Sequence, residues 1–315
     1  MLRLALAATL LAAPACAQSQ KPDPEADARA RRGDSLLVRP GEATEPPEAT
    51  VDRPDGAPRT DTTVVRVGDT AVAVVTHTLH GPDGRNGAFW AVNLHDDEST
   101  SVDAALAVAA ETGGVVVELV HSGARNLAFG LHASRYGVDP NRMFTPEGLG
   151  RSLGALSLGW DAGTRDRPQA ARQSQATRAV EALADHVLTQ TGLQDAAVVV
   201  TLHNNTPDSY SAASYLAGAE YATDAAAVTV VPGSDADDFF FVTDRRLYDA
   251  LVARGFNAVL QDNARATDDG SLSVWAARNA RPYVNVEAQH GHVAEQTRMM
   301  EALVEVLRDE PAARD

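Results

Sequence analysis

Short apolar runs that alternate with helical patterns are the feature that most limits how this chain can fold. Runs such as 115–120 and 197–202 are apolar at nearly every position, which is typical of strands covered on both faces. The pattern predicts strands near 71–77, 88–94, 115–120, 197–202, 226–231, 238–242, 256–260 and 282–287, and helices near 100–111, 167–190, 244–254 and 293–308. The sequence therefore predicts an α/β fold, a three-layer sandwich with a mostly parallel or mixed central sheet. In such a sheet, sites form beyond the carboxyl ends of the strands.

The first residues have the composition of an export signal. One positive charge, at Arg3, precedes a short apolar stretch and the small-residue exit Ala15-Cys16-Ala17. We interpret residues 1–17 as a signal peptide, which predicts an exported protein, periplasmic or secreted. The alternative is that Cys16 is the lipidated first residue of a bacterial lipoprotein, although the leucine that such signals favour is missing in front of it.

The next segment, residues 18–61, is polar, acidic and rich in proline. Such a composition buries too little apolar surface to order itself, so we predict a disordered linker there. The remaining chain shows no internal repeat and no second linker. One catalytic domain over residues 62–315 is the simplest interpretation.

Composition excludes several kinds of chemistry from that domain. Cys16 is the only cysteine and Lys21 the only lysine, so we expect no disulfide, no thiolate nucleophile and no Schiff-base lysine. A formal net charge of -16 leaves no basic surplus for phosphates, which argues against nucleic acid as a partner. The leader is too short to stay in a bilayer as a helix, so no membrane insertion is expected beyond a lipid anchor at Cys16.

A His-x-x-Glu pair, His95 and Glu98, follows the apolar run 88–92 where a helical pattern begins. Side chains three residues apart can turn toward one point and offer a metal ion an imidazole nitrogen and a carboxylate. His203, which ends the run 197–202, could supply a third ligand. Two histidines and a glutamate with an open fourth position are the pattern of a hydrolytic zinc site.

The residues alone leave two alternatives to this site open. The spacing arises by chance in many chains, so His95 and Glu98 could be a structural pair. The same spacing occurs in His292 and Glu295, which could form their own cluster with His290 at the start of the last helix. His290 and His292 are equally consistent with positions behind the ligands or beside the substrate.

Glu287 lies on a predicted strand whose alternation separates an apolar face from a polar one. Tyr283, Asn285, Glu287 and Gln289 share the polar face. A carboxylate at the end of such a strand is costly to bury unless it is paired with a cation or takes part in catalysis. Glu287 is therefore a candidate general base. The alternative is a structural ion pair with an arginine such as Arg281.

Two arginines follow predicted strands or turns. Arg125 comes after His121-Ser122-Gly123-Ala124, and Arg142 ends the turn-forming sequence Asp139-Pro140-Asn141-Arg142. The planar guanidinium group suits a substrate carboxylate or a tetrahedral oxyanion. Either arginine could equally be a surface residue, which is the commoner case.

These motifs together resemble the zinc carboxypeptidases and their deacylase relatives of the succinylglutamate desuccinylase/aspartoacylase type. The resemblance is carried, in the family's order, by His95-Asp96-Asp97-Glu98, Arg125, Asp139-Pro140-Asn141-Arg142, Leu202-His203-Asn204-Asn205 and Glu287. It implies that His95, Glu98 and His203 bind one zinc ion (Zn2+), and that Glu287 activates water. It further implies that Arg125 polarises the scissile carbonyl, and that Asn141 and Arg142 hold a terminal carboxylate. Asp139 would then hydrogen-bond a ligating histidine.

Two features of that family are not assigned by the sequence. Its mobile tyrosine could be Tyr210, Tyr215, Tyr221 or Tyr248. The segment 268–275 is either a substrate loop or a plain surface loop.

The resemblance implies an exported zinc-dependent hydrolase that cleaves an amide bond next to a carboxylate. A carboxypeptidase acting on peptides or cell-wall stem peptides fits best. The alternatives are a deacylase or amidase on small N-acyl compounds, and an exported binding protein without turnover.

Overall fold

A computed structural model describes residues 58–81, 89–131, 134–157 and 170–309. The predicted signal peptide, the lipid-anchor alternative at Cys16 and nearly all of the predicted linker lie outside these ranges. The first strand begins at Arg59, three residues before the domain boundary that the sequence indicated. Within the described ranges, no helix combines the length and the apolar character needed to cross a membrane.

The central sheet confirms the predicted α/β class. Its strands are, in chain order, β1 (Arg59–Val67), β2 (Thr70–Leu79), β3 (Trp90–Asn93), β4 (Gly114–Val120), β7 (Val199–Asn205), β8 (Ala225–Thr229), β9 (Phe239–Val242), β10 (Ala258–Gln261) and β11 (Tyr283–Gln289). Two further strands, β5 (Leu127–Leu131) and β6 (Ser134–Val138), form a separate antiparallel pair.

The sheet is mixed, as predicted, with a parallel centre. Its nine strands lie in the order β1-β2-β4-β3-β7-β11-β9-β10-β8. Strands β4, β3, β7 and β11 run parallel to one another, whereas β2 and β9 flank them antiparallel. The carboxyl ends of β3, β7 and β11 therefore meet at one edge of the sheet.

Helices cover the sheet on both faces. They are α1 (Ser99–Thr112), α2 (Pro146–Leu156), α3 (Ala170–Thr189), α4 (Arg245–Ala253), α5 (Leu272–Arg278) and α6 (Val293–Asp309). Alternate residues of β3 enter different cores: Val92 packs on the face covered by α2, α3 and α5, and Ala91 on the face covered by α1, α4 and α6. The two buried cores give the three layers expected from the continuously apolar strands.

Four observed elements near the site were not predicted from the sequence: β5, β6, α2 and α5. The predicted loop 268–275 is a short turn followed by α5, and Trp275 on that helix packs against the core. The turn is fixed by contact of Gly270 with Gly148 on α2, where an added Cβ atom would have no room.

Candidate metal centre

The turn after β3 presents His95 and Glu98 on the same side. The Glu98 N–H donates to the carbonyl of His95 (3.1 Å), and Glu98 is the N-cap residue, directly before α1. Asn93, the last residue of β3, donates through its side chain to the Glu98 carbonyl and to Ser101 Oγ. This closed turn brings both predicted ligands to the carboxyl edge of the sheet.

His203 lies within β7, two residues before its end, rather than just beyond the strand. Since β7 is hydrogen-bonded to β3 on one side and to β11 on the other, His203 stands between the His95 turn and Glu287. Glu287 is paired in register with His203. Strand order alone thus places the predicted general base next to the third predicted ligand.

Three buried side chains converge at this point. His95 Nδ1 lies 2.8 Å from Glu98 Oε1, His203 Nδ1 lies 2.8 Å from Glu98 Oε2, and the two Nδ1 atoms are 3.1 Å apart. The exposed fractions of the three residues are 0%, 1% and 4%. Donor atoms this close together can share one cation.

The outward-facing nitrogens of both rings also have partners. His95 Nε2 lies 2.8 Å from Asp139 Oδ1, which also accepts the Asn141 N–H, and His203 Nε2 lies 3.3 Å from Asn141 Nδ2. The Asp139 N–H is in turn bound by Ser152 Oγ on α2. A carboxylate behind His95 favours a proton on Nε2, so Nδ1 is the nitrogen that would give up its proton to a cation.

Burial and charge shift the pKa values of these groups in different directions. Burial alone would lower the pKa of His95, but the Glu98 and Asp139 carboxylates outweigh it and raise that pKa to about 9. For His203, burial outweighs the attraction of Glu98, and its pKa is lowered. Burial would raise the pKa of Glu98, yet the two histidines hold it well below its ordinary value.

Glu287 is buried and has little to favour its ionised form. Burial, followed by repulsion from Glu98, raises the pKa of Glu287 to about 8, although Asn285 donates a hydrogen bond to its Oε2 (2.9 Å). Tyr283 and Asn285 reach Thr201 on β7. The polar face predicted for β11 is therefore present. The hydrogen bond to the Glu287 carboxylate comes from Asn285, and among the described residues Glu287 forms no ion pair with Arg281.

The two predicted substrate arginines already have carboxylate partners. Arg125 donates to Glu98 Oε1 and lies 3.8 Å from Asp139, with nearly half of its side chain exposed. Arg142 forms an ion pair with Asp269 (3.1 Å) in the turn before α5. No local sequence pattern indicates the pairing of Arg142 with Asp269, because Asp269 lies far away along the chain.

The rival His-x-x-Glu pair points elsewhere. His292 Nδ1 faces Asp238 (3.3 Å), and Glu295 is engaged by Arg298. His292, Asp238 and Asp235 form a second group of close ligand atoms, to which Glu295 does not belong. Both Asp235 oxygens already accept hydrogen bonds, from the Asp237 N–H and from Gln289, so this group is satisfied without a cation.

Of the four tyrosines considered, Tyr210, Tyr215 and Tyr221 pack against one another. Tyr210 and Tyr215 share a hydrogen bond (2.6 Å), and burial, followed by the neighbouring Tyr215, raises the pKa of Tyr210. Tyr248 is separate, on α4, with Thr229 as its partner. Burial raises the pKa of both Tyr210 and Tyr215, and both hydroxyls interact electrostatically with Glu287.

Comparisons with known proteins give only distant structural similarity. No protein family model matches the chain, and no curated protein matches its sequence. A variant of cell shape determinant protein Csd4 from Helicobacter pylori has 12% identity and a TM-score of 0.40, over 76% of this chain and 56% of the Csd4 chain. Murein-tripeptide amidase MpaA from Escherichia coli O157 has 15% identity and a TM-score of 0.34, over 75% of this chain and 87% of its own. The tripeptide-bound form of Csd4 has 11% identity and a TM-score of 0.37, over 78% and 57%. Similarity at this level assigns neither family nor activity.

Proposed function

We propose that this chain is an exported zinc-dependent hydrolase that cleaves an amide bond next to a carboxylate. The observation that carries the proposal is the buried convergence of His95 Nδ1, Glu98 and His203 Nδ1 beside Glu287. Two imidazoles and one carboxylate are the donors of hydrolytic zinc sites, and one zinc ion held there supplies a Lewis acid for the amide carbonyl.

The donor set fits such an ion, with one adjustment at His203. Binding through Nδ1 requires that the ring proton sit on Nε2. Asn141 would then turn its amide oxygen toward Nε2 and release the Leu272 N–H, which its Oδ1 now accepts at 3.3 Å. His95 needs no such change, because Asp139 already accepts from its Nε2.

The chain's own residues supply the proton transfers. Glu287 takes a proton from the attacking water and returns it to the leaving nitrogen; a cation held by the neighbouring ligands would favour the ionised form of Glu287 that the first transfer needs. Arg125, which reaches Glu98 from the exposed side, donates to the oxyanion that forms on the carbonyl. The site thus combines a buried carboxylate base, Glu287, with an arginine, Arg125, that is accessible to a substrate.

A terminal carboxylate on the substrate would be held by Arg142 and Asn141. Since Arg142 is paired with Asp269, a substrate carboxylate must exchange with that aspartate. A carboxypeptidase acting on peptides or cell-wall stem peptides is the first candidate.

The ion pair between Arg142 and Asp269 favours a second candidate, a deacylase or amidase on small N-acyl compounds whose carboxylate does not bind Arg142. Replacing Asp269 with Asn discriminates the two. The substitution should lower KM for a peptide whose carboxylate binds Arg142, and should leave KM unchanged for a substrate that does not use Arg142.

The test of the proposal is metal analysis together with amide hydrolysis. His203→Ala should lose about one equivalent of zinc per chain, whereas His292→Ala, in the rival cluster, should keep it. Glu287→Gln should keep zinc and lose hydrolysis. Retained hydrolysis in Glu287→Gln would exclude Glu287 as the base, and an inactive zinc-bound wild type would favour the binding-protein alternative.

A further inference from the structure

The acidic residue after the first ligand, Asp96, is not used by the proposed chemistry, and its hydrogen bonds go to the loop after β4. Its Oδ2 accepts hydrogen bonds from the backbone N–H groups of His121, Ser122 and Gly123, at 2.7, 2.7 and 2.6 Å. Three successive N–H donors on one carboxylate oxygen form a strong, charge-assisted anchor. This anchor ties the metal-binding turn to the start of the loop between β4 and β5.

That loop carries Arg125, two residues beyond the last anchored N–H group. Residues 122–125 are exposed, so burial of apolar surface contributes little to their order. Gly123 adopts the left-handed conformation (φ 70°), which lets the chain turn directly after the anchor. The position of the Arg125 guanidinium beside Glu98 therefore depends on how the loop is held at its first three residues.

We infer that Asp96 is a positioning residue: by binding these three N–H groups it places Arg125 over the amide-cleaving centre. Only the part of the test that measures catalysis rests on the proposed function. The hydrogen bonds of Asp96 are made with the loop backbone, so it acts through the loop. His95, its neighbour, lies on the same turn, so the anchor joins the loop to the segment that carries a predicted metal ligand.

The first arm of the test measures loop order without any hydrolysis assay. Trypsin cleavage after Arg125 is followed by mass spectrometry in the full-length protein, with cleavage after Arg151 on α2 as the internal reference. Asp96→Ala should raise the relative rate after Arg125 by about tenfold or more, because the cleavable open form becomes more populated. Asp244→Ala is the matched control, since Asp244 also accepts two backbone N–H groups, at the start of α4, and its loss should leave the Arg125 rate unchanged.

The second arm is a double-mutant cycle on zinc-loaded protein. Arg125→Ala removes one oxyanion donor and should lower kcat about 10²- to 10³-fold. Asp96→Ala should lower kcat by about tenfold or more with KM nearly unchanged, and should cost less than about twofold in the Arg125→Ala background. Asp96→Asn, which keeps an acceptor oxygen, should recover part of the loss.

The outcomes separate this inference from the proposed function. Equal losses from Asp96→Ala with and without Arg125 would overturn it, as would an unchanged trypsin rate after Arg125 or a loss of zinc in Asp96→Ala. If no amide substrate is turned over, the proposed function fails while the trypsin arm still decides whether Asp96 holds the loop.

Discussion

Zinc binding to this site should release more than one proton, and the number can be worked from the structure. In the metal-free protein the pKa of His95 is about 9 and that of Glu287 about 8, so both groups hold a proton near neutral pH. A cation on His95 Nδ1 must displace the imidazole proton. Its positive charge also favours the ionised form of Glu287, which releases part of a second proton.

The direction in which zinc affinity changes with pH follows from these pKa values. Because protons compete with zinc below both pKa values, affinity should fall as pH falls. Each proton released changes the association constant about tenfold per pH unit, equivalent to about 1.4 kcal/mol. Between about pH 6 and about pH 7.5, log K should therefore rise with a slope between one and two. Glu287→Gln, which has no second proton to lose, should have a slope of roughly one.

Competition titration with a zinc chelator gives this slope, and calorimetry in buffers of different ionisation enthalpy counts the protons directly. His292→Ala serves as the control, with an unchanged slope. A slope near zero in the wild type would mean that His95 is already neutral, and the electrostatic account of the site would be wrong. An equal slope in Glu287→Gln and wild type would show that Glu287 releases no proton when zinc binds.

Three further predictions concern stability. Gln296 is fully buried on α6, where it donates to the His203 and Val286 carbonyls and accepts from Asn204. Gln296→Leu should therefore lower the free energy of unfolding in urea by about 2–4 kcal/mol, with an unchanged m-value. Gly148→Ala should destabilise by about 1–3 kcal/mol through the clash with Gly270. Its matched control on the same helix, Gly150→Ala, meets nothing within 4 Å and should stabilise by up to about 1 kcal/mol; equal effects would refute the close approach. Zinc at about 100 times its Kd should stabilise the wild type by about 2.7 kcal/mol and His203→Ala not at all, as measured by thermal unfolding.

The central strands could be predicted because burial on both faces leaves a direct trace in the sequence. Strand β1 leaves no such trace: it is an edge strand whose residues are mostly exposed, and its sequence Arg-Thr-Asp-Thr-Thr lacks apolar alternation. Helix α2 had a readable start, Thr145 followed by Pro146, with the Thr145 hydroxyl accepting the Gly148 N–H. Three glycines within it obscured the helical pattern. Helix α5 spans only seven residues, too few to show a period.

At the site, the ordered motifs predicted which residues converge but not what each one touches. The pairing of Arg142 with Asp269 and the Asp96 anchor both join segments that are distant in the sequence, and no local pattern indicates them. The His95 and His203 rings are separated by 108 residues. Their meeting follows from strand order, and strand order is a property of the whole sheet.

Charge balance explains why the centre can be buried without a cation and still be ready for one. Glu98 and Asp139 are ionised, with lowered pKa values, and Arg125 balances one of these charges. The proton on His95 balances the other, and Glu287 stays neutral by keeping its own proton. Two protons thus occupy the place of two positive charges in a region where an uncompensated carboxylate would be costly. A divalent ion can replace both protons with no change in net charge, and the replacement would leave Glu287 ionised, the form that its proposed role as a base requires.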